Sequence, residues 1–333
     1  MSIMLLYSCT QVEMTVRDIP AARNFMIDVL DASKVEQQLA SEIRALFPDG
    51  GYDLEHLDCG GAVFQFNEPS PALEFNGHKI VHQQYLDRIG PCITNLNFYV
   101  DDAEHANDVL ASNGAAVQIE GPSNTAPSLA DYGPENSRSG AEQRKFRFMG
   151  SRHLFGFDLE FMEPNFNRFS EQRAQIPNFI HPRPTSGSNL QFQRLRIVVE
   201  SLAQTYANIQ NILLPACHSK PYHVHKGSLA QSFRISFGGM ELEYCEPLKN
   251  EGELADQLSR EGPGVVAVVF AAEDFNKIVT AAENANCRVE YEPDFLGIKE
   301  PHAEIRPGIK SREIIGFDVV LENVRPELYP AAK

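Results

Sequence analysis

Residues 11–18 read QVEMTVRD, a β-rich run that ends at an acidic residue able to cap a helix. The segment that follows, residues 19–30, carries apolar residues at three- and four-residue spacing, which predicts a helix with one buried face. These apolar residues are Ala22, Phe25, Met26 and Val29. The stretch therefore predicts a strand followed directly by an amphipathic helix.

The same order of strand, cap and helix occurs four times in the chain. The later openings start at Asn95, Arg194 and Ala267, and their caps are Asp101 or Asp102, Ser201, and Asp274. Each copy also closes with a similar strand that runs from a glycine to a glutamate, at residues 61–68, 156–163, 239–246 and 316–322. Repeats of this size predict units that bury their faces against one another. The chain is therefore expected to be an α+β protein of four modules.

A length of 333 residues is too great for one ordinary core and suits two domains of two modules each. Residues 165–188 are rich in proline, serine and glycine and predict a linker. We therefore expect an N-terminal domain over 1–164 and a C-terminal domain over 189–333. A second polar stretch, Gly121 to Gln143, is expected to be a long loop, and whether it is a solvated insertion or a lid is left open.

The charge of the chain limits its partners. Lys and Arg number 29 and Asp and Glu number 45, so the formal net charge is −16. Such a surface repels phosphate backbones and anionic membranes, and no apolar run approaches the length of a membrane span. The six cysteines are scattered, which is typical of reduced thiols in a cytoplasmic protein. A small-molecule ligand is the expected partner, and a homodimer is left open.

The stretches at residues 11–22 and 95–102 resemble the module openings of the vicinal oxygen chelate superfamily, which includes glyoxalase I, extradiol ring-cleavage dioxygenases and bleomycin-resistance proteins. The resemblance covers nearly the whole chain. It implies four βαβββ modules paired into two cup-shaped domains, as in the extradiol dioxygenases. It implies much less about chemistry, because this fold hosts many reactions.

The resemblance also implies where a metal would bind in each cup. In the first cup the implied ligand positions hold Gln11, Asn95, Gln65 and Glu160, and in the second they hold Arg194, Ala267, Glu243 and either Val319 or Val320. Arginine cannot ligate a cation, so the extradiol iron site is not expected in the second cup. One carboxylate and three amides would hold a metal weakly in the first cup, where Gln11 and Glu160 are the candidates. We therefore expect no cofactor.

Strand alternation adds further residues to each cup. Glu13 shares a face with Gln11 and Asn97 with Asn95, so these residues, with Gln65 and Glu160, predict a polar floor that binds ligand. In the second cup Arg194 and Arg196 share a face. They either pair with Glu243 in the interior or clamp a ligand carboxylate.

The cluster around residues 218–226 contains two histidines that point the same way on a strand, His223 and His225. Facing inward, they could supply a general acid or base, and facing outward they are surface residues.

These observations favour a lyase or isomerase that acts on a small, partly apolar organic acid or oxygenated ring compound by acid–base chemistry. The expected catalytic residues are His223, His225 and Glu243. The expected substrate-binding residues are Arg194, Arg196, Gln11, Glu13, Gln65, Asn95, Asn97 and Glu160. A metal-free sequestration protein of the bleomycin-resistance type is the alternative, and a glyoxalase-like metal enzyme that uses the first cup is the second alternative.

Overall fold

A computed structural model describes residues 6–35, 51–75, 78–100, 102–122, 145–162, 189–213, 221–292 and 306–323. The predicted linker and all but the first two residues of the Gly121–Gln143 segment lie outside these ranges. No helix among the described residues is long and apolar enough to cross a membrane.

The first half of the chain forms one eight-stranded sheet with the order β2-β3-β4-β1-β7-β10-β9-β8. A short hairpin, β5–β6, lies outside this sheet. The strands are β1 Leu6–Thr15, β2 Ser33–Lys34, β3 Tyr52–Cys59, β4 Ala62–Pro69, β5 Glu74–Phe75, β6 His78–Lys79, β7 Cys92–Val100, β8 Ala116–Pro122, β9 Lys145–Gly150 and β10 Asp158–Met162. The helices are α1 Ile19–Asp28, α2 Val81–Ile89, α3 Ala103–Ser112 and α4 Arg152–Phe155.

The second half repeats this arrangement in the order β12-β13-β14-β11-β15-β18-β17-β16. The strands are β11 Leu190–Val198, β12 Tyr222–Lys226, β13 Ala230–Phe237, β14 Met240–Pro247, β15 Gly264–Ala272, β16 Arg288–Glu292, β17 Arg306–Lys310 and β18 Asp318–Asn323. The helices are α5 Leu202–Asn208, which continues as a π-helical turn over Ile209–Leu213, α6 Glu253–Glu261, α7 Phe275–Asn284 and α8 Arg312–Ile315. The predicted α+β class with two domains is thereby confirmed.

The four predicted caps begin four helices. The side chains of Asp18, Asp102 and Ser201 each accept a backbone N–H from the residue three positions on, and Asp274 accepts from the two residues at its N2 and N3 positions. These bonds satisfy amide groups that have no partner inside the helix. In the second copy the cap is therefore Asp102.

The two sheets share one apolar core. Phe64 of β4 packs its ring against three rings of the other half, Phe192, Phe270 and Phe317, with centroids 5.6–6.3 Å apart. The backbone also bridges the halves, because the Phe192 N–H donates to the Gly60 carbonyl at 3.0 Å. A Cβ on Gly60, whose φ is +62°, would lie 2.5 Å from the Phe192 nitrogen. This close approach is open only to glycine.

Helices α2 and α6 lie on the opposite face of their sheets. Helix α2 contacts β1, β4 and β7, and α6 contacts β11, β14 and β15. Strand alternation sends Val12 and Leu96 into the shared core, while Glu13 and Asn95 face α2. Each domain is therefore a cup whose inner face is covered by a helix.

Candidate functional site

The predicted polar floor of the first cup comes together on four neighbouring strands, β4, β1, β7 and β10. Glu13 is paired in register with Gln65 on one side and Asn95 on the other. Asn97 is likewise paired with Gln11 and Glu160. All six side chains are at most 5% exposed. Burial of such a set of polar side chains costs free energy unless their polar atoms form hydrogen bonds.

Hydrogen bonds join most of these groups around Glu13. Its Oε1 accepts from the Gln11 Nε2 at 2.8 Å and from the Asn97 Nδ2 at 2.6 Å. The Gln11 Nε2 also donates to the Gln65 Oε1 at 2.7 Å, and the Asn95 Nδ2 donates to the Asn97 Oδ1 at 2.6 Å. The amide of Gln11 therefore turns its nitrogen, and not its oxygen, toward the cluster.

A histidine from α2 completes this cluster and was missed by the sequence reasoning. The Nε2 of His82 lies 3.6 Å from the Glu13 Oε2, and both atoms are buried without a hydrogen bond. The ring of His82 is held edge-on against Tyr52 and Phe148. Helix α2 thus places an ionisable ring directly opposite a buried carboxylate.

The neighbouring bonds decide which protons His82 carries. The Asn67 Nδ2 donates to the Met14 carbonyl at 3.0 Å, so the Asn67 Oδ1 accepts the Tyr52 hydroxyl proton at 2.6 Å. The 3.4 Å contact between the Tyr52 hydroxyl and the His82 Nδ1 must then use a proton from the histidine. The Nδ1 of His82 is therefore the donor to Tyr52, and its Nε2 faces the Glu13 carboxylate across 3.6 Å.

A second buried histidine, His56, lies on β3 opposite Gln65. Because the Gln65 Nε2 donates to Asn67, the Gln65 Oε1 accepts from the His56 Nε2 at 2.9 Å. Burial lowers the pKa of His56, although the hydrogen bond that it donates to Gln65 and the charge of Glu13 act to raise it. His56 is therefore a neutral donor whose Nδ1 is buried with no partner.

The environments of the two carboxylates of the first cup shift their pKa values in opposite directions. Burial alone would raise the pKa of Glu13, but the close contact and charge of His82, with hydrogen bonds from Gln11 and Asn97, hold that pKa below its usual value. Burial and then the charge of Glu13 raise the pKa of Glu160 well above its usual value, against a hydrogen bond from Asn97. The ionised form is therefore favoured at Glu13 and the protonated form at Glu160.

The second cup brings its predicted residues together as a cluster of ion pairs. Arg194 donates from Nε to the Glu243 Oε2 at 3.1 Å and from both Nη atoms to Glu322 at 2.8 and 2.9 Å. Arg196 also donates to the Glu243 Oε2 at 3.1 Å, and Arg234 donates to its other oxygen at 3.3 Å. Three guanidinium groups therefore share Glu243. Although burial opposes them, they hold its pKa far below the usual value.

The predicted histidine pair of the second cup lies on β12, at the edge of the sheet. His225 is half-buried and is paired in register with Ser232 of β13. The side chain of His223 lies outside the described part of the chain. Their predicted catalytic role stays a prediction.

Solved structures share this architecture. A triple variant of 4-hydroxymandelate synthase from Streptomyces coelicolor is 15% identical over 96% of this chain and 94% of that chain, with a TM-score of 0.58. A xylose isomerase-like TIM barrel/4-hydroxyphenylpyruvate dioxygenase fusion protein is 10% identical over 96% of this chain and 49% of that chain, with a TM-score of 0.52. The fold is the vicinal oxygen chelate fold. No family model matches the sequence, and no curated protein is similar to it in sequence.

In the first cup, a metal ion would be poorly held at the positions where a vicinal oxygen chelate protein is expected to bind it. The Gln65 Oε1 already accepts two donors, and the Asn95 Oδ1 accepts the Thr94 hydroxyl at 2.8 Å. Gln11 presents an amide nitrogen, which is no ligand for a cation. Glu160 is thus the single strong oxygen ligand of these four residues, and its raised pKa disfavours the ionised form that binds a metal.

The second cup departs further from the metal-ligand pattern expected of a vicinal oxygen chelate fold. Val320 is paired in register with Val269, just as Glu160 is paired with Asn97 in the first cup. Val320, and not Val319, therefore occupies the closing position of the second cup. Arg194 occupies the first opening position, with its guanidinium bound to two carboxylates. This donor set does not fit a divalent metal.

Proposed function

We propose that this chain is an acid–base enzyme of the lyase or isomerase type whose reacting groups lie in the first cup. The observation that carries the proposal is the pair of buried carboxylates whose pKa values are shifted in opposite directions, Glu13 beside His82 and Glu160 beyond Asn97. Titratable groups whose environments push their pKa values apart are the usual mark of an acid and a base in one site.

In this proposal Glu160 donates its proton to a substrate oxygen, and Glu13 accepts a proton from an adjacent carbon. His82 faces Glu13 at 3.6 Å and stabilises its ionised form before the transfer. General acid–base catalysis of this kind contributes about 10²–10⁴-fold to a rate. The buried atoms without partners, the Glu13 Oε2 and Glu160 Oε2, are where a substrate would be received.

The substrate class follows from the groups around the two carboxylates. The floor consists of amides and one neutral acid, which suits a small oxygenated compound bearing a carbonyl or hydroxyl group. The chemistry uses no metal, because the oxygen atoms of Gln65 and Asn95 are already occupied by hydrogen-bond donors. Since α2 covers the floor, entry of a substrate requires this helix to move.

The test is proton exchange, the step that epimerases, isomerases and β-eliminating lyases have in common. The full-length protein is incubated in D₂O with a panel of hydroxyketones, 2-oxo acids and 3-oxo acids. NMR then follows the loss of signal from the proton on the carbon next to the carbonyl group of each compound. Glu160→Gln and Glu13→Gln should each lower the exchange rate by at least 100-fold. Glu104→Gln, on an exposed part of α3, is the matched control and should leave the rate unchanged. Exchange that persists in both cup variants would refute the proposal.

A sequestration protein is the second candidate, and the observation that favours it is a cavity of the C-terminal cup with no histidine in its lining. A protein of this kind would bind members of the panel without exchanging their protons. The predicted cytoplasmic location and the homodimer remain predictions.

A further inference from the structure

A repeated turn joins the two halves of the chain near the ends of α2 and α6, the helices that cover the cups. Residues 151–158 and 311–318 both read Ser-Arg-x-x-x-Gly-Phe-Asp. In each copy the Oδ1 of the aspartate accepts the backbone N–H groups of the serine and the arginine. A Cβ on the glycine of the turn would lie within 3.7 Å of the backbone nitrogen of Gly264 or Cys92, the first residue of a strand in the other half. Each turn therefore packs across the contact between the halves.

Arg152, the arginine of the first turn, reaches into the second half. It is 7% exposed, and its Nε donates to the Pro263 carbonyl at 2.6 Å. Pro263 directly follows Gly262, which caps the C-terminal end of α6. A Cβ on Gly264 would lie 2.1 Å from the Arg152 Nη2. The guanidinium therefore occupies space that is open to it because Gly264 has no side chain.

The same arginine contacts helix α2 of the first half. Its guanidinium carbon lies 5.3 Å from the centre of the Tyr85 ring, and a buried cation is attracted to the face of an aromatic ring. The Tyr85 hydroxyl donates to the Asp158 Oδ2 at 2.6 Å, while the Asp158 Oδ1 accepts the Arg152 backbone N–H at 2.9 Å. Arg152 thus joins the two covering helices, α2 through Tyr85 and α6 through Pro263.

Arg312, the arginine of the second turn, binds within its own half. It donates to the carboxylate of Glu261, the last residue of α6. Cys92 and Gly264 are equivalent positions, since each directly follows a Gly-Pro pair at the end of a covering helix. The side chain of Cys92 takes up the space that a crossing guanidinium would need. Of the two arginines, Arg152 is the one whose described contacts reach both covering helices.

We propose that Arg152 couples the two covering helices, so that α2 and α6 leave and rejoin their sheets together. When α6 moves, the Pro263 carbonyl moves with it, and the guanidinium loses the bond that holds it over the Tyr85 ring. The coupling acts equally in the other direction, because a coupling free energy is reciprocal. Control of access to the reacting groups of the first cup by α6 rests on the proposed function, whereas the coupling itself is tested without turnover.

The test is a double-mutant cycle read by hydrogen–deuterium exchange of the full-length protein. Leu254→Ala loosens α6, because Leu254 packs on the valine cluster of β11, β15 and β18 beneath that helix. A hydrogen bond to a charged group corresponds to roughly 10- to 100-fold in an equilibrium constant. Leu254→Ala should therefore raise exchange in the 253–261 peptide and, by at least about 3-fold, in the 81–89 peptide of α2. In an Arg152→Met background the same change should raise exchange in the 253–261 peptide alone.

Two variants and one reference peptide make the result decisive. Arg288→Met, at an exposed position of β16, is the matched control and should leave the response of α2 to Leu254→Ala as in the parent. Gly264→Ala displaces the guanidinium from the other half, so it should act as Arg152→Met does and replaces that variant if it does not fold. The β4 peptide, 62–69, should not change in any of them.

Three results would overturn the proposal. The α2 peptide does not respond to Leu254→Ala in the parent, or its response persists when Arg152 is replaced, so that the helices are coupled by another route. In the third, exchange in the β4 peptide rises as much as in the helices, which means that the helices do not open apart from the sheets.

Discussion

Replacing Arg194 by methionine tests whether the second cup depends on its ion pairs. The side chain is 1% exposed and donates three hydrogen bonds, one to Glu243 and two to Glu322. Methionine keeps most of the length of the side chain but removes its charge, and it leaves Glu322 without its bidentate partner. Because Glu243 and Glu322 each lose a hydrogen-bonded cation that is itself buried, we expect a loss of about 3–5 kcal/mol in the free energy of unfolding.

The assay is urea denaturation of the parent, of Arg194→Met, and of Arg194→Met with Glu322→Gln. The double variant should recover part of the loss, because it removes the carboxylate left unpaired. The pKa of Glu243 is lowered in the folded state, so its contribution is present above its unfolded pKa of about 4.3 and is lost as the pH falls below that value. The parent and Arg194→Met should therefore converge in stability as the pH falls below about 4. A loss under about 1 kcal/mol at pH 7 would show that Arg194 does not hold the cluster together.

Three further predictions concern the first cup and the contact between the halves. Glu160→Gln should raise the stability above about pH 5 and leave it unchanged at pH 4, since a carboxyl whose pKa is raised in the folded state costs stability as the pH rises past its unfolded pKa. Glu13→Gln should instead lower the stability at neutral pH, because the pKa of Glu13 is lowered in the folded state. Thermal melts across pH 4–8 check both signs. Gly60→Ala should lower the melting temperature more than Gly252→Ala does, because both have positive φ but only the first meets a backbone atom, and equal shifts would contradict this. Phe64→Ala should cost about 3–5 kcal/mol in denaturant titration, since its ring contacts three rings of the other half, and a cost near zero would mean that the halves are not held together there.

Much of the fold could be predicted because it repeats. Four openings with the same order of strand, cap and helix predict four strand–helix units, and Asp18, Asp102, Ser201 and Asp274 do begin those helices. Such signals are local, since a cap and the first turn of its helix are neighbours in sequence. The polar floor of the first cup could also be predicted, because alternation along a strand fixes which residues share a face.

The residues that complete the first cup could not be predicted from those patterns. His56 lies on a middle strand of its module, and His82 lies on a helix between modules, outside the openings and closing strands. One signal was present, because residues 86–91 and 258–263 both read Leu-x-Arg-x-Gly-Pro, which marks α2 and α6 as a repeated pair. The sequence also could not decide whether Arg194 clamps a ligand or forms an ion pair, because its partner Glu322 is 128 residues away along the chain.

The shared core has a mechanical consequence for both cups. The innermost strands of each sheet are tied to the other half at several points, by the contacts of Phe64, by the bond from Phe192 to Gly60, and by the bond from the Cys9 N–H to the Gly238 carbonyl. Bending one sheet would strain the other, so the sheets act as a stiff frame. Helices α2 and α6 lie on the far side of this frame, where they contact each other. Displacement of one helix to open its cup therefore disturbs the other helix, and a ligand that enters one cup acts on the cover of the second.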